Sequence, residues 1–213
     1  MKVKILTGGP DDCIPNEIYD YKSDNWCGVD IGASKLIEHD INPLLSIGDF
    51  DSSTARELEL VRLKSKKTIY KPLKDDITDT ELALRYLITN YEIDQIELYG
   101  ATGGRLDQLL ANIFFILKPC YQNYVEKIQI IDKWNKIKFF LPGSHQLKKD
   151  NDMKYLAFVP LTQVKELELP DEKYTLNKTN FMVPVSLSSN EFIGKNASFS
   201  FKSGVVMVIQ SKD

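Results

Sequence analysis

The sequence predicts an α/β domain with a mostly parallel sheet and flanking helices, followed by an all-β sandwich domain. In the first part, short apolar runs alternate with segments whose apolar residues recur at the helical period, a pattern typical of parallel sheets covered by helices. From about Lys127 onward the helical period stops, and short β-rich runs separated by turn residues follow. We therefore place the boundary near residues 125–140 and predict domains at 1–132 and 133–213.

The elements of the first domain follow from these patterns in chain order. Strands are predicted at Val3–Leu6, Leu44–Ile47, Thr68–Tyr70 and Gln95–Tyr99. Helices are predicted at Ser34–His39, Thr54–Lys64, Asp79–Asn90 and Leu106–Leu117. In the last of these helices the apolar residues share one face; they are Leu106, Leu109, Leu110, Ile113, Phe114 and Leu117.

The second domain is predicted from β-rich runs bounded by turn residues. These runs are Ile128–Ile131, Ile137–Leu141, Tyr155–Pro160, Val164–Leu169, Phe181–Leu187, Ala197–Phe201 and Val205–Ile209. Ser203 and Gly204 lie between the last two runs and predict a hairpin there. Ser189 and Asn190 are predicted to lie in a polar loop between two runs.

Composition excludes several classes of function. The chain has 27 Lys and Arg against 30 Asp and Glu, so it lacks the basic excess typical of nucleic-acid and membrane-surface proteins. The amino terminus is typical of a first strand rather than a signal peptide, and no apolar run approaches the length of a membrane span. The three cysteines, Cys13, Cys27 and Cys120, lack metal-binding spacing. We expect reduced thiols and a cytoplasmic protein.

Histidine-based chemistry is also disfavoured. The chain contains only two histidines, His39 and His145, which is too few for a His-rich metal site and makes a histidine triad improbable. Any catalysis must therefore depend on carboxylates, lysines, arginines or a bound metal.

Two glycine-rich turns follow predicted strands. The first contains Gly8 and Gly9 and, taken alone, is better explained as an ordinary turn. The second contains Gly103 and Gly104 followed by Arg105. A glycine turn between a strand and a helix directs backbone N–H groups and the helix dipole at an anion, and an arginine adds a bidentate phosphate contact. The second turn matches neither a Walker A nor a GxGxxG motif, so it indicates an anion site without fixing its class.

Two acidic segments follow other strands. Asp49 and Asp51 lie in GDFDSS, and Asp76 and Asp79 lie in DDITDTE. Either segment alone is equally consistent with helix capping, with Asp51 or Ser52 as the cap of the helix at Thr54. Two such segments at one edge of a sheet favour a divalent cation.

The glycine and acidic segments together indicate more than either alone. Aspartates beside a phosphate repel it unless a cation lies between them. The combination therefore predicts Mg²⁺ bridging carboxylates and a nucleotide polyphosphate, as in enzymes of the phosphoryl-transfer type.

Three ordered motifs, GDFDSS, DDITDTELAL and GATGGRLDQLLANI, resemble the motif series of the thiamine pyrophosphokinases. The later segment LSSNEFIGKNASFSF resembles the same family, so the similarity spans nearly the whole chain. The resemblance implies an α/β domain that binds ATP, a β-sandwich that helps to bind thiamine, and a homodimer with active sites between subunits.

The resemblance also implies residue roles. The implied catalytic residues are Asp49, Asp51, Asp79 and Asp107, of which the first three also bind the metal. The implied nucleotide-binding residues are Gly9, Asp30, Asp76, Thr80, Gly103, Gly104, Arg105 and Gln108. The implied thiamine-binding residues are Tyr174, Ser189 and Asn190. Two residues depart from the family pattern: Ile31 replaces a glycine after Asp30, and Leu44 replaces an aspartate after Pro43.

The implied reaction is attack by the hydroxyl of thiamine on the β-phosphorus of ATP, with AMP leaving. Asp79 and Asp107 are both candidates to accept the hydroxyl proton. Three alternatives remain open. In the first, the same reaction uses another small alcohol, such as a pterin, as the acceptor. In the second, the protein is a non-catalytic sensor of a nucleotide or thiamine. In the third, it is a metal-dependent phosphatase.

Overall fold

The computed structural model describes residues 1–71 and 77–213. The chain forms two compact units, one of Met1–Lys118 with Ile130–Lys133, the other of Pro119–Gln129 with Trp134–Asp213. The first contains a parallel sheet with helices and the second two antiparallel sheets, which confirms the predicted fold class. Within the described residues, no helix is long and apolar enough to cross a membrane.

In the sheet of the first unit, further strands lie on both sides of the first strand. Its strands are β1 (Lys2–Leu6), β2 (Trp26–Val29), β3 (Leu45–Gly48), β4 (Thr68–Tyr70) and β5 (Gln95–Tyr99). They run parallel in the order β4-β3-β2-β1-β5, and β6 (Ile128–Ile131) lies next to β5. The strand order reverses at β1 and β5, and ligands of open α/β sheets bind beyond the carboxyl ends of the strands at such a point.

The sequence prediction missed β2. The strand has only four residues, and Gly28 interrupts its apolar run, which lowers its resemblance to a strand. Gly28 is required because a Cβ at this position would lie 2.4 Å from the Cα of Ala33. The glycine thus allows the first helix to pack closely on the sheet.

The helices of the first unit are α1 (Ile31–Glu38), α2 (Ala55–Lys64), α3 (Asp79–Asn90) and α4 (Leu106–Phe114). The caps of α2 and α3 are Thr54 and Thr78, whose hydroxyls accept the N–H of Glu57 and Glu81. The predicted start of α1 was three residues late. The predicted end of α4 was also late, because Phe115–Leu117 forms a 3₁₀ turn.

The apolar face of α4 is not fully buried within this chain. Leu106, Leu110 and Phe114 recur at every fourth position and are all exposed. The helical period of this segment was therefore predicted correctly, although its apolar stripe faces solvent.

The second unit is a sandwich of two antiparallel sheets. The first sheet has the order β12-β9-β14-β7, formed by β7 (Asn135–Phe140), β9 (Tyr155–Pro160), β12 (Leu187–Glu191) and β14 (Val206–Ser211). The second has the order β11-β10-β13-β8, formed by β8 (Gly143–Lys148), β10 (Val164–Leu169), β11 (Leu176–Phe181) and β13 (Asn196–Phe201). Side chains from both sheets, among them Phe158 and Phe199, form one core.

Three local predictions for this unit were wrong. The predicted hairpin at Ser203 and Gly204 instead joins strands of different sheets, because β13 pairs with β8 and β10 while β14 pairs with β7 and β9. The predicted strand Phe181–Leu187 is interrupted around Pro184, which has no N–H to donate. Ser189 and Asn190 lie in strand β12 rather than in a loop.

Glu172 is a carboxylic acid with no exposed surface in the second unit. Its Oε1 is buried and makes no hydrogen bond within the described part of the chain. Burial, reinforced by the charge of Asp171, raises the pKa of Glu172 to about 7. Because this pKa lies above its value in an unfolded chain, folding favours the neutral acid. Ionisation of Glu172 therefore lowers the free energy of unfolding increasingly as the pH rises toward 7.

We expect Glu172→Gln to stabilise the protein more at high pH than at low pH. Glutamine keeps the shape of the neutral acid and cannot ionise, so the variant should gain roughly 2–10 °C in Tm over the wild type at about pH 8, and much less at about pH 5. Thermal unfolding followed by circular dichroism at both pH values measures the difference. Glu59→Gln, on the exposed face of α2, is the control and should show no such pH-dependent gain.

Candidate active site

A cleft of about 590 Å³ lies at the carboxyl edge of the parallel sheet. Its walls come from the turns after β1, β2 and β5 and from the starts of α1, α3 and α4. The cleft therefore lies at the strand-order reversal, as expected for an open α/β sheet. It brings together eight residues to which the family resemblance assigns a role: Gly9, Asp30, Asp79, Thr80, Gly103, Gly104, Arg105 and Gln108.

The two glycine turns pack against each other in this cleft. A Cβ at Gly9 would lie 2.2 Å from the carbonyl oxygen of Gly100, so no other residue fits without displacing the backbone. Gly103 has a φ of 75°, and a Cβ there would lie 2.6 Å from Sγ of Cys13. Thr7 joins the turns, because its N–H donates to the carbonyl of Tyr99 at 3.0 Å.

Two buried polar side chains that the sequence analysis missed hold the second glycine turn. The hydroxyl of Thr102 donates to Oδ2 of Asp132 at 2.6 Å, and Nδ2 of Asn112 donates to the carbonyl of Ala101 at 3.0 Å. One signal was present in the sequence, since Asp132 directly follows the predicted strand Ile128–Ile131. These bonds restrain the turn at Gly103 and Gly104, which lines the cleft.

Arg105 and Asp107 form an exposed ion pair at the start of α4. Nη2 and Nε of Arg105 donate to the carboxylate of Asp107 at 2.6 and 3.2 Å. Arg105 lines the cleft and Asp107 does not. The guanidinium has further N–H donors beyond those used in this pair, so Arg105 can also bind an anion.

Asp30 and Asp79 form the acidic part of the cleft. Asp30 follows β2 with a φ of 49°, and its Oδ1 accepts the N–H of Phe50 at 3.3 Å. A Cβ at Gly48 would lie 1.8 Å from the same oxygen, so glycine is required beside it. Burial, and next the charge of Asp79, raise the pKa of Asp30 to about 7. Within the described residues, Oδ1 of Asp79 is buried without a hydrogen-bond partner.

These two carboxyl groups suit a divalent cation. Two neighbouring carboxylates that are partly buried repel each other unless a proton or a cation lies with them, and Asp79 retains an unused buried oxygen. Residues 1–71 and 77–213 contain no group of three His, Cys, Asp or Glu side chains arranged to hold a metal ion. Mg²⁺ does not require one, because it is usually held by one or two carboxylates together with substrate phosphates and water.

The other predicted aspartates occupy different positions. Asp49 and Asp51 do not line the cleft; Oδ1 of Asp49 accepts the N–H of Asp51 at 3.1 Å, and Oδ1 of Asp51 accepts the hydroxyl of Ser52 at 2.9 Å. Neither Asp51 nor Ser52 caps α2, since Thr54 does so. Asp49 lies near enough to Asp30 for its charge to raise the pKa of Asp30. Asp76 lies outside the described residues.

In the second unit, the side chain of Asn190 is bonded to the chain itself. Its Oδ1 accepts the N–H groups of Tyr174 and Glu191, each at 2.9 Å, and its Nδ2 donates to the carbonyl of Tyr174 at 2.8 Å. Asn190 is buried, whereas Tyr174 is 59 % exposed. Ser189 is exposed and has a φ of 60°. The amide of Asn190 thus fixes the backbone that presents the ring of Tyr174.

Two family models match the chain. The model described as "Thiamin pyrophosphokinase, catalytic domain" matches residues 18–130, and the model described as "Thiamin pyrophosphokinase, vitamin B1 binding domain" matches residues 144–206. The first match covers the acidic pair and the second glycine turn of the cleft, whereas the turn at Gly9 lies before it; the second match covers Tyr174, Ser189 and Asn190.

Individual relatives match over the full length. A thiamine pyrophosphokinase from Bacillus subtilis (strain 168) is 35% identical, with 99% of each chain covered. The crystal structure of a thiamin pyrophosphokinase family protein from Enterococcus faecalis is 38% identical, with 100% of each chain covered and a TM-score of 0.93. That of a thiamine pyrophosphokinase from Bacillus subtilis is 34% identical, with 100% of each chain covered and a TM-score of 0.86.

Proposed function

The chain belongs to the thiamin pyrophosphokinase family, and from that premise we propose that it transfers a diphosphate group from ATP to thiamine in a Mg²⁺-dependent reaction. The observation that carries the proposal is the Asp30–Asp79 pair, which shares one cleft with two glycine turns and Arg105. An acidic pair beside anion-binding N–H groups suits a metal–polyphosphate complex and suits neither a bare anion nor a bare cation.

The cleft accounts for the binding of ATP. The N–H groups of the turns at Gly9 and Gly103 and the guanidinium of Arg105 would hold phosphate oxygens. Asp30 and Asp79 would hold Mg²⁺, with Asp49 and Asp51 as further metal ligands that the family resemblance implies. When bound, Mg²⁺ neutralises charge that develops on the phosphate oxygens.

In the proposed reaction, the hydroxyl oxygen of thiamine bonds to the β-phosphorus of ATP. The bond from that phosphorus to the oxygen bridging the α- and β-phosphates breaks, AMP leaves with this oxygen, and the hydroxyl proton passes to a base. Of the two candidate bases, Asp79 lines the cleft and Asp107 pairs with Arg105. The protein contributes mainly positioning and electrostatic stabilisation.

We assign thiamine recognition to the domain at 133–213 and ATP recognition to the domain at 1–132. Tyr174 offers an exposed aromatic face to a thiamine ring, and the neighbouring Ser189 offers a hydroxyl group. Asn190 supports both residues through its bonds to the backbone of Tyr174 and through its position next to Ser189 in β12.

We further propose a cytoplasmic homodimer with active sites between subunits. The exposed apolar stripe of Leu106, Leu110 and Phe114 on α4 supports a partner surface. The cysteines, which form no disulfide within the described residues, support a reducing compartment.

The decisive experiment is incubation with ATP, Mg²⁺ and thiamine, followed by chromatography of the products. We expect thiamine diphosphate and AMP in equal amounts, none after addition of EDTA, and a dimer in sedimentation equilibrium of the same sample. A pterin alcohol offered in place of thiamine tests the alternative acceptor. Formation of ADP and thiamine monophosphate would make the protein an ordinary kinase and contradict the proposal.

A further inference from the structure

Lys71 lies beside the acidic pair, although no sequence motif indicated it. It directly follows β4, and its N–H donates to the carbonyl of Gly48 at 2.9 Å, which fixes its backbone at the carboxyl edge of the sheet. Its Nζ lies 3.5 Å from Oδ2 of Asp79. The side chains of Lys71 and Asp79 are only 17 % and 20 % exposed, so water screens this ion pair less than a surface pair.

The position of Lys71 conflicts with that of a metal ion. An ammonium group 3.5 Å from Oδ2 of Asp79 places a positive charge beside that carboxylate of the acidic pair. A divalent cation held by Asp79 would face strong repulsion from the same ammonium group. The two cations therefore compete for Asp79 unless Lys71 moves toward another negative charge.

A nucleotide supplies such a charge. Lysine carries its ammonium on a flexible four-carbon stem and binds phosphate as a point charge. The backbone of Lys71 stays fixed by its bond to Gly48 while the side chain turns. A polyphosphate that enters together with the metal can therefore accept the ammonium as the metal takes its place.

We propose that Lys71 occupies the place of a cation beside Asp79 in the nucleotide-free protein and transfers its ion pair to the phosphates when the metal–nucleotide complex binds. This inference rests on the metal–nucleotide binding in the proposed function and not on the transfer of the diphosphate group. It makes Lys71 a positioning residue that keeps the affinity for the bare metal low and couples metal binding to nucleotide binding.

Direct titration with Mn²⁺ tests the inference without an activity assay. Free Mn²⁺ is measured by electron paramagnetic resonance, with and without a non-hydrolysable ATP analogue, in the wild type, Lys71→Gln and Lys71→Arg. Lys67→Gln is the matched control, because Lys67 is an exposed lysine just before β4.

Lys71→Gln should bind Mn²⁺ alone about 10-fold more tightly than the wild type, the ratio that corresponds to about 1.4 kcal/mol. The analogue should enhance its Mn²⁺ affinity less than it does in the wild type. Lys71→Arg and Lys67→Gln should resemble the wild type. In EDTA, Lys71→Gln should have a lower Tm and a larger rise in Tm on addition of Mn²⁺.

Equal or weaker Mn²⁺ binding by Lys71→Gln overturns the inference, whether or not the wild type forms AMP. If Lys71→Gln does not fold, Lys71→Met is titrated in its place. The inference is then overturned if the ATP analogue enhances the Mn²⁺ affinity of Lys71→Met as much as that of the wild type. A wild type that forms no AMP, together with tighter Mn²⁺ binding by Lys71→Gln, refutes the proposed function and leaves the inference standing.

Discussion

Replacing Asp79 by asparagine should lower kcat by roughly 10²- to 10³-fold, the range typical of removing one preorganised group that stabilises transition-state charge. Asparagine keeps the shape of the side chain and removes its charge. Among the described residues, Asp79 is the cleft carboxylate with a buried oxygen that has no hydrogen-bond partner. Its charge raises the pKa of Asp30, and its Oδ2 lies 3.5 Å from Nζ of Lys71. Without its charge, the metal–nucleotide complex loses a ligand and the ammonium of Lys71 loses its partner.

Steady-state kinetics with circular dichroism of each variant measure this effect. Asp40→Asn is the matched control, since Asp40 is an exposed aspartate after α1 with a φ of 59°, a conformation that asparagine tolerates well. It should keep wild-type turnover. A native Asp79→Asn variant with wild-type kcat would show that this carboxylate serves the fold of α3 and not the reaction.

The sequence predicted the framework of this site because its signals are local. α3 was predicted at its observed bounds, Asp79–Asn90, since a capping threonine and an apolar period mark it within a few residues. The glycine turns were recognised because in each of them glycines directly follow a predicted strand, and an anion site there stays a prediction. Both features depend on residues that are neighbours in the chain.

Which aspartates face the cleft was not predictable from these signals. Phe50 lies between Asp49 and Asp51 with a φ of 55°, and its ring is buried against Ala33 and Val61. Burial of this ring orients the flanking backbone, and neither aspartate lines the cleft. Motif spacing cannot show this, because it depends on the packing of α1 and α2 around one side chain.

The position of Asp30 in the cleft was likewise not predictable from local sequence signals. It attracted attention only through a resemblance, and the strand before it, β2, was missed. Its electrostatic interaction with Asp79 joins the ends of two elements distant in sequence, and its side chain requires glycine at position 48. The role of Asn190 was not predictable for a similar reason, since its amide forms hydrogen bonds with the backbone of Tyr174, which lies before β11 and distant from Asn190 in the sequence.

Asn190→Ala should raise the KM for thiamine by about 5- to 150-fold and leave the KM for ATP nearly unchanged. The substitution removes the hydrogen bonds that fix the backbone of Tyr174, and the loss of a buried polar partner costs about 1–3 kcal/mol. The cleft that we propose to bind ATP lies in the other unit and contains none of these residues. Asn177→Ala, at an exposed asparagine of β11, is the control and should change neither KM.

A double-mutant cycle separates an indirect role of Asn190 from direct contact with thiamine. If Asn190 acts by holding Tyr174, then Tyr174→Ala already removes the benefit, and the double variant should bind thiamine about as weakly as Tyr174→Ala alone. If the amide instead contacts thiamine, the two losses should add. Isothermal titration of thiamine into the four proteins measures each affinity. Additive losses, or a loss of ATP affinity equal to that of thiamine, would contradict the positioning role assigned to Asn190.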